Sequence, residues 1–428
     1  MGSCIRHQLV FAAMLTIVLC LGSVVNPKVA NTAVYYVATT GNDANLGGQS
    51  QPFQSIGKGV SVLKSGDILY LRQGTYIERI TPETMTLPSA TSWSSAITIA
   101  GYPGEVVTLS SGINIQDNRD SSIVAYLIFD NLILRNDGNP AFRVAGNSHH
   151  IRLSNSNLQT YGASGSTNIV MVANTTSYNE FINCSVHDAP VSFDNGATTG
   201  HYGFYIGGHH NIYDGNRVYN NTGHAFCLYQ SGQNNVHDNI IRNNIIYGNG
   251  FDDGQRGQSL AAVVLASGSS NQFYNNIVYG NRSSGVGVAY TGGGIDNQVY
   301  NNTIYGNSGF GIEVSPSSPN TIIKNNIIFS NGRGTLNEQI VDWGAAGLVQ
   351  SNNLTTDPKF VNASALDFSL QAGSPAIDAG VTVSVVTTDM QGVARPQGGA
   401  YDIGAYEYYK GTTPLPAPSN LRLIAVSP

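Results

Sequence analysis

Asn243-Asn244-Ile245-Ile246-Tyr247-Gly248-Asn249 is one copy of a short phrase that recurs along this chain. Close and looser copies occupy residues 130–136, 215–221, 275–281, 301–307 and 325–331. One aliphatic residue marks each repeat, and neighbouring marks lie 24 to 32 residues apart, at Ile133, Leu158, Val186, Val218, Ile246, Val278, Ile304 and Ile328. A period in the twenties with insertions is typical of a solenoid, in which successive coils stack on one another.

Each repeat is typical of strands and turns rather than helices. The segments are short and β-branched, and Gly, Asn and Ser separate them, whereas leucine-rich repeats of similar period need regular leucines and helix formers. A second strand follows the turn in several coils, at residues 203–206, 225–228, 287–290 and 311–314. Several strands per coil predict an all-β fold, a right-handed parallel β-helix (solenoid) of about eight to ten coils.

The asparagines have a structural interpretation in this fold. One asparagine recurs at the same turn of successive coils, at Asn216, Asn244, Asn276, Asn302 and Asn326. Asparagine tolerates left-handed backbone, and its amide bonds to backbone groups at tight turns. We therefore predict that these side chains stack into a ladder, with Cys184 at the equivalent position of its own coil.

The composition excludes several classes of protein. The 428 residues include 20 Lys+Arg and 26 Asp+Glu, which gives a net charge of −6, and only 11% of residues are charged. A chain so poor in charge is not typical of a coiled coil, a helical bundle or a basic nucleic-acid binder. The 41% hydrophobic content is enough for a core and argues against disorder.

The N-terminal residues predict export. Arg6 and His7 precede an apolar run over 9–25, and mostly small residues follow, which is the order of a secretory signal. We assign 1–33 to a signal peptide and leader, and we predict a secreted or cell-surface protein without a transmembrane span after its removal. Cys184 and Cys227 then remain, which is too few for a disulfide framework or a zinc motif.

Strand and helix patterns begin directly after the leader. Residues 34–37 predict a first strand, and Pro52-Phe53 opens an amphipathic helix with Ile56, Val60 and Leu63 on one face. We assign 34–110 to an N-terminal helical cap with the first coils. The β-helix repeats follow over 111–350, a C-terminal closing module over 351–409, and a Pro-rich linker over 410–428.

Both ends of the repeat region resemble known families. Tyr35-Tyr36-Val37, Pro52-Phe53 and Gly66-Asp67-Ile68-Leu69-Tyr70 resemble the opening of secreted bacterial right-handed parallel β-helix proteins, which include the pectate lyases of family nine. Residues 373–380 and 402–407 resemble the choice-of-anchor module that closes many such proteins. Residues 419–423 look like the first strand of a fibronectin type III domain. The first two resemblances, with the coils, cover about 34–409; they imply a polysaccharide as ligand and leave the activity open.

Histidine and aspartate concentrate in one part of the chain. Six histidines lie within 51 residues, at His187, His201, His209, His210, His224 and His237. Four aspartates are interleaved with them, at Asp188, Asp194, Asp214 and Asp238. The insertions that lengthen two coils fall at about 188–201 and 248–259, and insertions in a solenoid often form the binding face. This stretch is therefore the candidate site.

Asp252-Asp253-Gly254 is the most specific motif within this candidate site. Adjacent carboxylates supply the hard oxygens that Ca²⁺ prefers, so we predict Asp252 and Asp253 as ligands. The motif resembles the Asp-Asp-Gly of family-nine pectate lyases, where a further acidic ligand and later a catalytic lysine follow. Here Gln255-Arg256-Gly257 follow, and the next lysine is Lys324. The same three residues are also typical of a simple turn.

His224 and Tyr202 open equivalent strands in successive coils. A neighbouring histidine and tyrosine can act as base and acid in β-elimination, while a cation such as Ca²⁺ or Arg256 neutralises the substrate carboxylate. We therefore predict His224, Tyr202 and Arg256 as catalytic residues. The alternative is that both rings merely pack within the stack.

These observations predict a secreted, monomeric β-helix protein that binds or cleaves an acidic (uronate) polysaccharide, by β-elimination where it cleaves, with Ca²⁺ as the cofactor. The His/Asp stretch in the insertions favours an enzyme. The departures from the lyase motif and the scarcity of lysine favour the alternative, a non-catalytic surface, adhesion or carbohydrate-binding β-helix. No nucleic-acid partner is expected.

Overall fold

Three long parallel sheets run along the chain in a computed structural model. The structure describes residues 32–115, 123–137, 140–161, 168–194, 197–229, 235–250, 261–288, 293–332 and 339–409. The sheets have 12, 10 and 9 strands, and each complete coil contributes one strand to each sheet in the order 1, 2, 3. The first two coils and the last described coil have no strand in one or two of the sheets. This is the predicted parallel β-solenoid, of about eight turns. No helix among the described residues is long and apolar enough to cross a membrane.

The strands are short, and most have three residues. Sheet 1 consists of Val34–Val37, Ile68–Leu71, Ile97–Gly101, Ala125–Asp130, His149–Ser154, Glu180–Ile182, Ile212–Asp214, Ile240–Arg242, Gln272–Tyr274, Gln298–Tyr300, Ile322–Lys324 and Val349–Ser351. Sheet 2 consists of Gly74–Tyr76, Val107–Leu109, Ile133–Asp137, Asn157–Tyr161, Ser185–His187, Arg217–Tyr219, Ile245–Tyr247, Ile277–Tyr279, Thr303–Tyr305 and Ile327–Phe329. Sheet 3 consists of Ile113–Ile115, Phe142–Val144, Val170–Val172, Phe204–Ile206, Phe226–Leu228, Val263–Leu265, Val286–Val288, Ile312–Val314 and Ile340–Asp342.

Shorter elements complete the described chain. Two antiparallel pairs join Val191–Asp194 to Ala197–Gly200 and Phe360–Asn362 to Asp367–Leu370. A parallel pair joins Gly268–Ser269 to Gly294–Ile295. The helices are α1 at Ile56–Val62 and two 3₁₀ turns at Trp93–Ser95 and Ala363–Ala365. In α1, the buried side chains include Ile56 and Val60, as the amphipathic pattern predicts.

The aliphatic marks of the repeat form the inner layer of sheet 2. Val218, Ile246, Val278, Ile304 and Ile328 pair in register from coil to coil, and all are fully buried. The first mark is wrong by one residue, because Leu158 pairs with Leu134 rather than with Ile133. A shift of one residue turns a strand side chain to the opposite face, so Leu134 occupies the core and Ile133 does not.

The predicted asparagine ladder is present between sheets 1 and 2. Each side-chain oxygen accepts from the backbone N–H of the preceding coil, as Asn244 Oδ1 does from Asn216 at 2.8 Å. Each amide nitrogen donates to the next oxygen, as Asn244 does to Asn276 at 2.9 Å. Cys184 occupies the ladder position of its coil and donates its backbone N–H to Asn216 Oδ1. The buried amides of the ladder itself therefore find partners for both oxygen and nitrogen.

Two further ladders follow the other corners. One lies between sheets 2 and 3, at Asn221, Asn249, Asn281, Asn307 and Asn331. The other lies between sheets 3 and 1, at Asn179, Asn211, Asn239, Asn271 and Asn297. A left-handed residue precedes the ladder position in most coils, for example Asn243 at φ 57° and Asp238 at φ 54°. The asparagine excess thus builds all three corners of the triangular coil.

The C-terminal segment lies along the side of the solenoid. Phe360 and Phe368 pack on Tyr305, which belongs to sheet 2, with ring centroids 5.8 and 5.4 Å away. Asn275 and Asn301, at the corner of sheets 1 and 2, donate to the carbonyls of Thr388 and Asp402. These contacts cover the outer face of the last coils. The closing and anchoring roles predicted for 351–409 stay predictions.

Candidate active site

Both long insertions lead into sheet 3. The first contains the hairpin of Val191–Asp194 and Ala197–Gly200 and precedes the strand Phe204–Ile206. The second contains 251–260, which lies outside the described residues, and precedes Val263–Leu265. Parallel strands all enter their sheet at one edge, so the two insertions join sheet 3 at the same side. We call this side of sheet 3 the entry edge.

Tyr202 and His224 lie together at the entry edge. Their ring centroids are 4.7 Å apart, and the ring planes differ by 33°. The backbone fixes them in neighbouring coils, because the N–H of Gly203 donates to the carbonyl of His224 at 2.9 Å. The sequence aligns the two residues because both open equivalent strands, and the structure places their rings in contact. Their catalytic roles stay predictions.

His224 is buried and bonds to the chain of the next coil. Its Nδ1 lies 2.6 Å from the carbonyl oxygen of Ala261. A carbonyl can only accept, so Nδ1 carries the proton and Nε2 of the neutral ring keeps its lone pair. Burial lowers the pKa of His224 from 6.5 to about 4, although the bond to Ala261 opposes this shift. The ring is neutral at neutral pH.

This burial predicts a specific loss of stability in acid. The unfolded chain binds a proton at His224 near pH 6.5, whereas the folded chain resists it until about pH 4. Stability from this group is complete above pH 6.5 and falls progressively between 6.5 and 4, by about 3 kcal/mol. We expect His224→Gln to lose less stability than the parent over that range, measured by denaturant unfolding at pH 7 and pH 4. Equal losses in both proteins would contradict the neutral, buried ring.

The Tyr202 side chain is also neutral. Burial raises its pKa to about 12, and the nearby Cys227 and Tyr205 add to the shift. The phenol is therefore protonated at neutral pH and can donate a proton, but it cannot serve as a phenolate base. His224 offers a lone pair with weak basicity, because a pKa near 4 lies far below the operating pH. The two side chains are close enough for acid–base catalysis, but the weak basicity of His224 gives only a modest driving force for proton transfer.

The residues of sheet 3 that alternate with the core positions form a continuous row beside this pair. In-register pairing aligns them from coil to coil, and we call them the outer row: Arg143, Met171, Tyr205, Cys227, Val264, Gly287 and Glu313. Arg143, Met171 and Tyr205 are partly exposed, whereas Cys227, Val264, Gly287 and Glu313 are buried. Tyr205 lies next to Tyr202, with ring centroids 6.2 Å apart and nearly parallel planes. Burial raises the pKa of the Cys227 thiol to about 12, so this thiol stays protonated and is unreactive.

Arg143 is a site residue that sequence reasoning missed. Its Nε is buried without a hydrogen-bond partner among the described residues. Burial, helped by the nearby Arg79, lowers the pKa of Arg143, and the guanidinium still stays charged at neutral pH. Arg143 is two strands from Tyr205, about 10 Å at the usual strand spacing. In the sequence, the only signal for Arg143 as a site residue was its position in the middle of the strand Phe142–Val144.

The His/Asp stretch does not form one cluster in space. His187 and Asp188 lie at the end of a sheet 2 strand, where Nδ1 and Oδ2 are 2.7 Å apart. Asp214 lies on sheet 1 and pairs with Arg242 at 2.8 Å. His209, His210 and His237 lie at the corner between sheets 3 and 1. A coil of about 28 residues distributes sequence neighbours around the whole perimeter, so only His201 and His224 reach the entry edge.

The predicted calcium ligands Asp252 and Asp253, and the predicted catalytic Arg256, lie outside the described residues. The residues that flank this segment are described and contact the His224 turn. Gly250 donates its N–H to the carbonyl of Gly223 at 2.9 Å, and Ala261 accepts from His224. The calcium site and the role of Arg256 stay predictions.

The geometry defines a parallel β-helix whose long insertions meet one sheet. A family model described as the Pel9A-like right-handed β-helix region matches residues 35–334. The chain therefore belongs to the Pel9A-like right-handed β-helix family, which confirms the fold and the resemblance expected from the sequence.

Solved structures show the same fold. The crystal structure of pectate lyase Pel9A matches with a TM-score of 0.63 at 19% identity, covering 88% of this chain and 97% of that one. A structure described as a glycoside hydrolase matches with a TM-score of 0.52 at 10% identity, covering 80% and 99%. At such identities the likeness concerns the fold alone. No curated protein matches the chain by sequence.

Proposed function

We propose that this chain is a secreted protein that binds an extended acidic polysaccharide along the partly exposed segment of the outer row, from Arg143 to Tyr205, and cleaves it by β-elimination at the entry edge. The observation that carries the proposal is the contact of His224 with Tyr202 beside a row that includes Tyr205 and the cation Arg143. Family membership and the likeness to pectate lyase Pel9A support it.

The chemistry requires a base, an acid and a positive charge. In the proposed step, Nε2 of His224 takes the proton from the carbon next to the uronate carboxylate. The electron pair forms the new double bond, the glycosidic carbon–oxygen bond breaks, and the Tyr202 hydroxyl protonates the leaving oxygen. Arg256 is proposed to neutralise the carboxylate of the reacting sugar, and Arg143 binds the carboxylate of a neighbouring sugar as a paired charge. Tyr205 offers an aromatic face against a sugar ring.

The test is a substrate panel with matched variants. The mature chain is incubated with pectate, alginate and glycosaminoglycans, with and without Ca²⁺, and unsaturated ends are read by ultraviolet absorbance. We expect product on one uronate polymer, a loss of at least about 100-fold in kcat for His224→Gln, and a raised KM for Arg143→Gln. His187→Gln on sheet 2 is the control and should leave both constants unchanged. Absence of product on every polymer would reject the lyase proposal.

The pKa values favour a second candidate function, non-catalytic carbohydrate binding. A histidine with a pKa near 4 and a tyrosine with a pKa near 12 form a weak acid–base pair, although both are neutral and well placed to contact sugar. In that case the chain retains the polymer in affinity electrophoresis without releasing unsaturated ends. Arg143→Gln then weakens retention, and His224→Gln changes it by less than about threefold, because no proton transfer is lost.

A further inference from the structure

Three histidines meet at the corner between sheets 3 and 1. His209 and His210 are consecutive, and His237 lies in the next coil, where its carbonyl accepts from the N–H of His210 at 3.0 Å. The ladder residue Asn211 follows His210, the ladder residue Asn239 follows Asp238, and the two asparagines bond to each other. The backbone beneath the three rings is therefore held by the buried hydrogen bonds of two coils. All three side chains are half-buried and lie on the surface.

The ring nitrogens converge. One nitrogen from each histidine can be chosen so that all three lie within 4.8 Å of one another. Nδ1 of His209 and Nδ1 of His210 are 2.8 Å apart. The rings of His209 and His237 are stacked, with centroids 4.6 Å apart and planes 5° from parallel. Small rotations of the rings would place three nitrogens at the 2.0–2.1 Å bond length typical of zinc.

A carboxylate orients one of the three rings. Nδ1 of His237 lies 2.7 Å from Oδ2 of Asp238, so its N–H donates there and Nε2 keeps the lone pair. The same Oδ2 is 3.7 Å from Nε2 of His210. Metal-binding histidines commonly donate their second nitrogen to a carboxylate, which fixes the tautomer and raises the ligand's basicity. Asp238 is placed for that supporting role.

We propose that His209, His210 and His237 bind one divalent transition-metal ion of the zinc, copper and nickel class, with Asp238 as the supporting carboxylate. Imidazole nitrogen suits these ions, whereas Ca²⁺ and Mg²⁺ prefer oxygen ligands. The site joins two coils and lies beyond the end of the sheet 3 strands, at the side opposite to the entry edge where the proposed cleavage takes place. Three protein ligands leave a fourth position for water or a further ligand.

The chain contains its own control for this proposal. His149 and His150 form the same consecutive pair at the same corner two coils earlier, with Nδ1 atoms 2.7 Å apart. The next coil there provides Ser177 and Tyr178 instead of a histidine and an aspartate, and Tyr178 stacks on His150 at 5.1 Å. That pair lacks a third nitrogen and a carboxylate, so it should bind metal far more weakly.

Calorimetric titration of the untagged mature chain with Zn²⁺ tests the proposal. We expect one tight Zn²⁺ site for which Ca²⁺ does not compete, and a Zn²⁺ affinity lowered at least about 100-fold in His209→Ala and in His237→Ala. Asp238→Asn should lower the affinity about 10-fold. His149→Ala should leave it unchanged. Co²⁺ loading gives an independent readout, because its visible absorption reports the number of nitrogen ligands.

The stability of the variants with and without Zn²⁺ provides a second test of the site. The substituted residues lie on the surface, so metal-free variants should keep the parent's melting temperature and circular dichroism. Zn²⁺ should raise the melting temperature of the parent and of His149→Ala but not of His237→Ala, because a ligand that binds only the folded chain stabilises it. Zinc affinity that is equal in the parent and in His237→Ala, or equally lost in His149→Ala, would overturn the proposal.

Discussion

Replacing Asn276 with alanine is expected to lower the free energy of unfolding by about 4 kcal/mol, one of the largest effects of any single substitution in the coils. The Asn276 amide nitrogen donates to the carbonyls of Ile241 and Tyr274 and to Asn302 Oδ1, at 2.9 to 3.0 Å. Its oxygen accepts from both nitrogens of Asn244 at 2.9 Å. Alanine leaves several of these buried groups without partners, each at a cost of about 1–3 kcal/mol.

The matched control is Asn155→Ala at the same corner. Asn155 has a left-handed backbone at φ 48°, but its exposed amide donates only to Asp130, and water can replace that bond. We expect a loss of about 1 kcal/mol there, from backbone strain alone. Denaturant unfolding of both variants gives the comparison. A loss below 1 kcal/mol for Asn276→Ala would show that the ladder contributes little beyond the turn itself.

The ladders also show what the sequence could and could not predict. The ladder at Asn244 and Asn276 was predictable because it lies between two strands separated by a turn of constant length. The ladder at Asn249 and Asn281 lies in the same phrase, five residues later, so its signal was present but not used. The third ladder lies five residues before the first in every coil, for example Asn239 before Asn244, so its signal was also present but not used. The residue before it changes from His210 to Asp238, and this variation hides the repeat.

The candidate site likewise includes residues that the sequence could predict and residues that it could not. Strand alignment brought Tyr202 and His224 together, because both sit at the same distance before a sheet 3 strand. It could not find Arg143, since a single outward arginine in a three-residue strand has no pattern around it. Proximity in sequence was misleading for His187 and His209, because a coil of about 28 residues carries neighbours to different corners. Coil register, rather than clustering along the chain, locates a site on a β-helix.

Replacing Glu407 with glutamine is expected to destabilise the C-terminal segment by about 4 kcal/mol. Arg395 Nη1 lies 2.6 Å from Glu407 Oε1, and both side chains are fully buried. Arg395 also donates to the carbonyls of Asp402 and Gly404 and to Asn275 Oδ1 on the solenoid. Glutamine removes the counter-charge that is bonded to the buried guanidinium and leaves Asp389 and Asp402 as the nearby carboxylates, which is costly.

A half-exposed pair of the same length provides the control. Arg72 and Glu105 also approach to 2.6 Å, but their side chains are 31% and 20% exposed. Solvent screens that pair, so Glu105→Gln should cost about 1 kcal/mol or less. Hydrogen exchange and limited proteolysis over 351–409 measure the difference. Glu407→Gln should speed exchange and cleavage there several-hundred-fold, while protection of the coils and the Glu105→Gln profile remain near those of the parent.

The double variant Arg395→Met with Glu407→Leu separates the charge from the packing. If the cost in Glu407→Gln comes from an unpaired buried cation, removing both charges should restore much of the lost protection, since apolar side chains of similar volume fill such sites well. If the segment is held instead by the bonds that Arg395 makes to Asn275 and the two carbonyls, which Glu407→Gln keeps and the double variant removes, the double variant should be at least as unstable as the single one. Restored protection would show that the segment is held on the solenoid mainly by apolar contacts such as those of Phe360 and Phe368 with Tyr305.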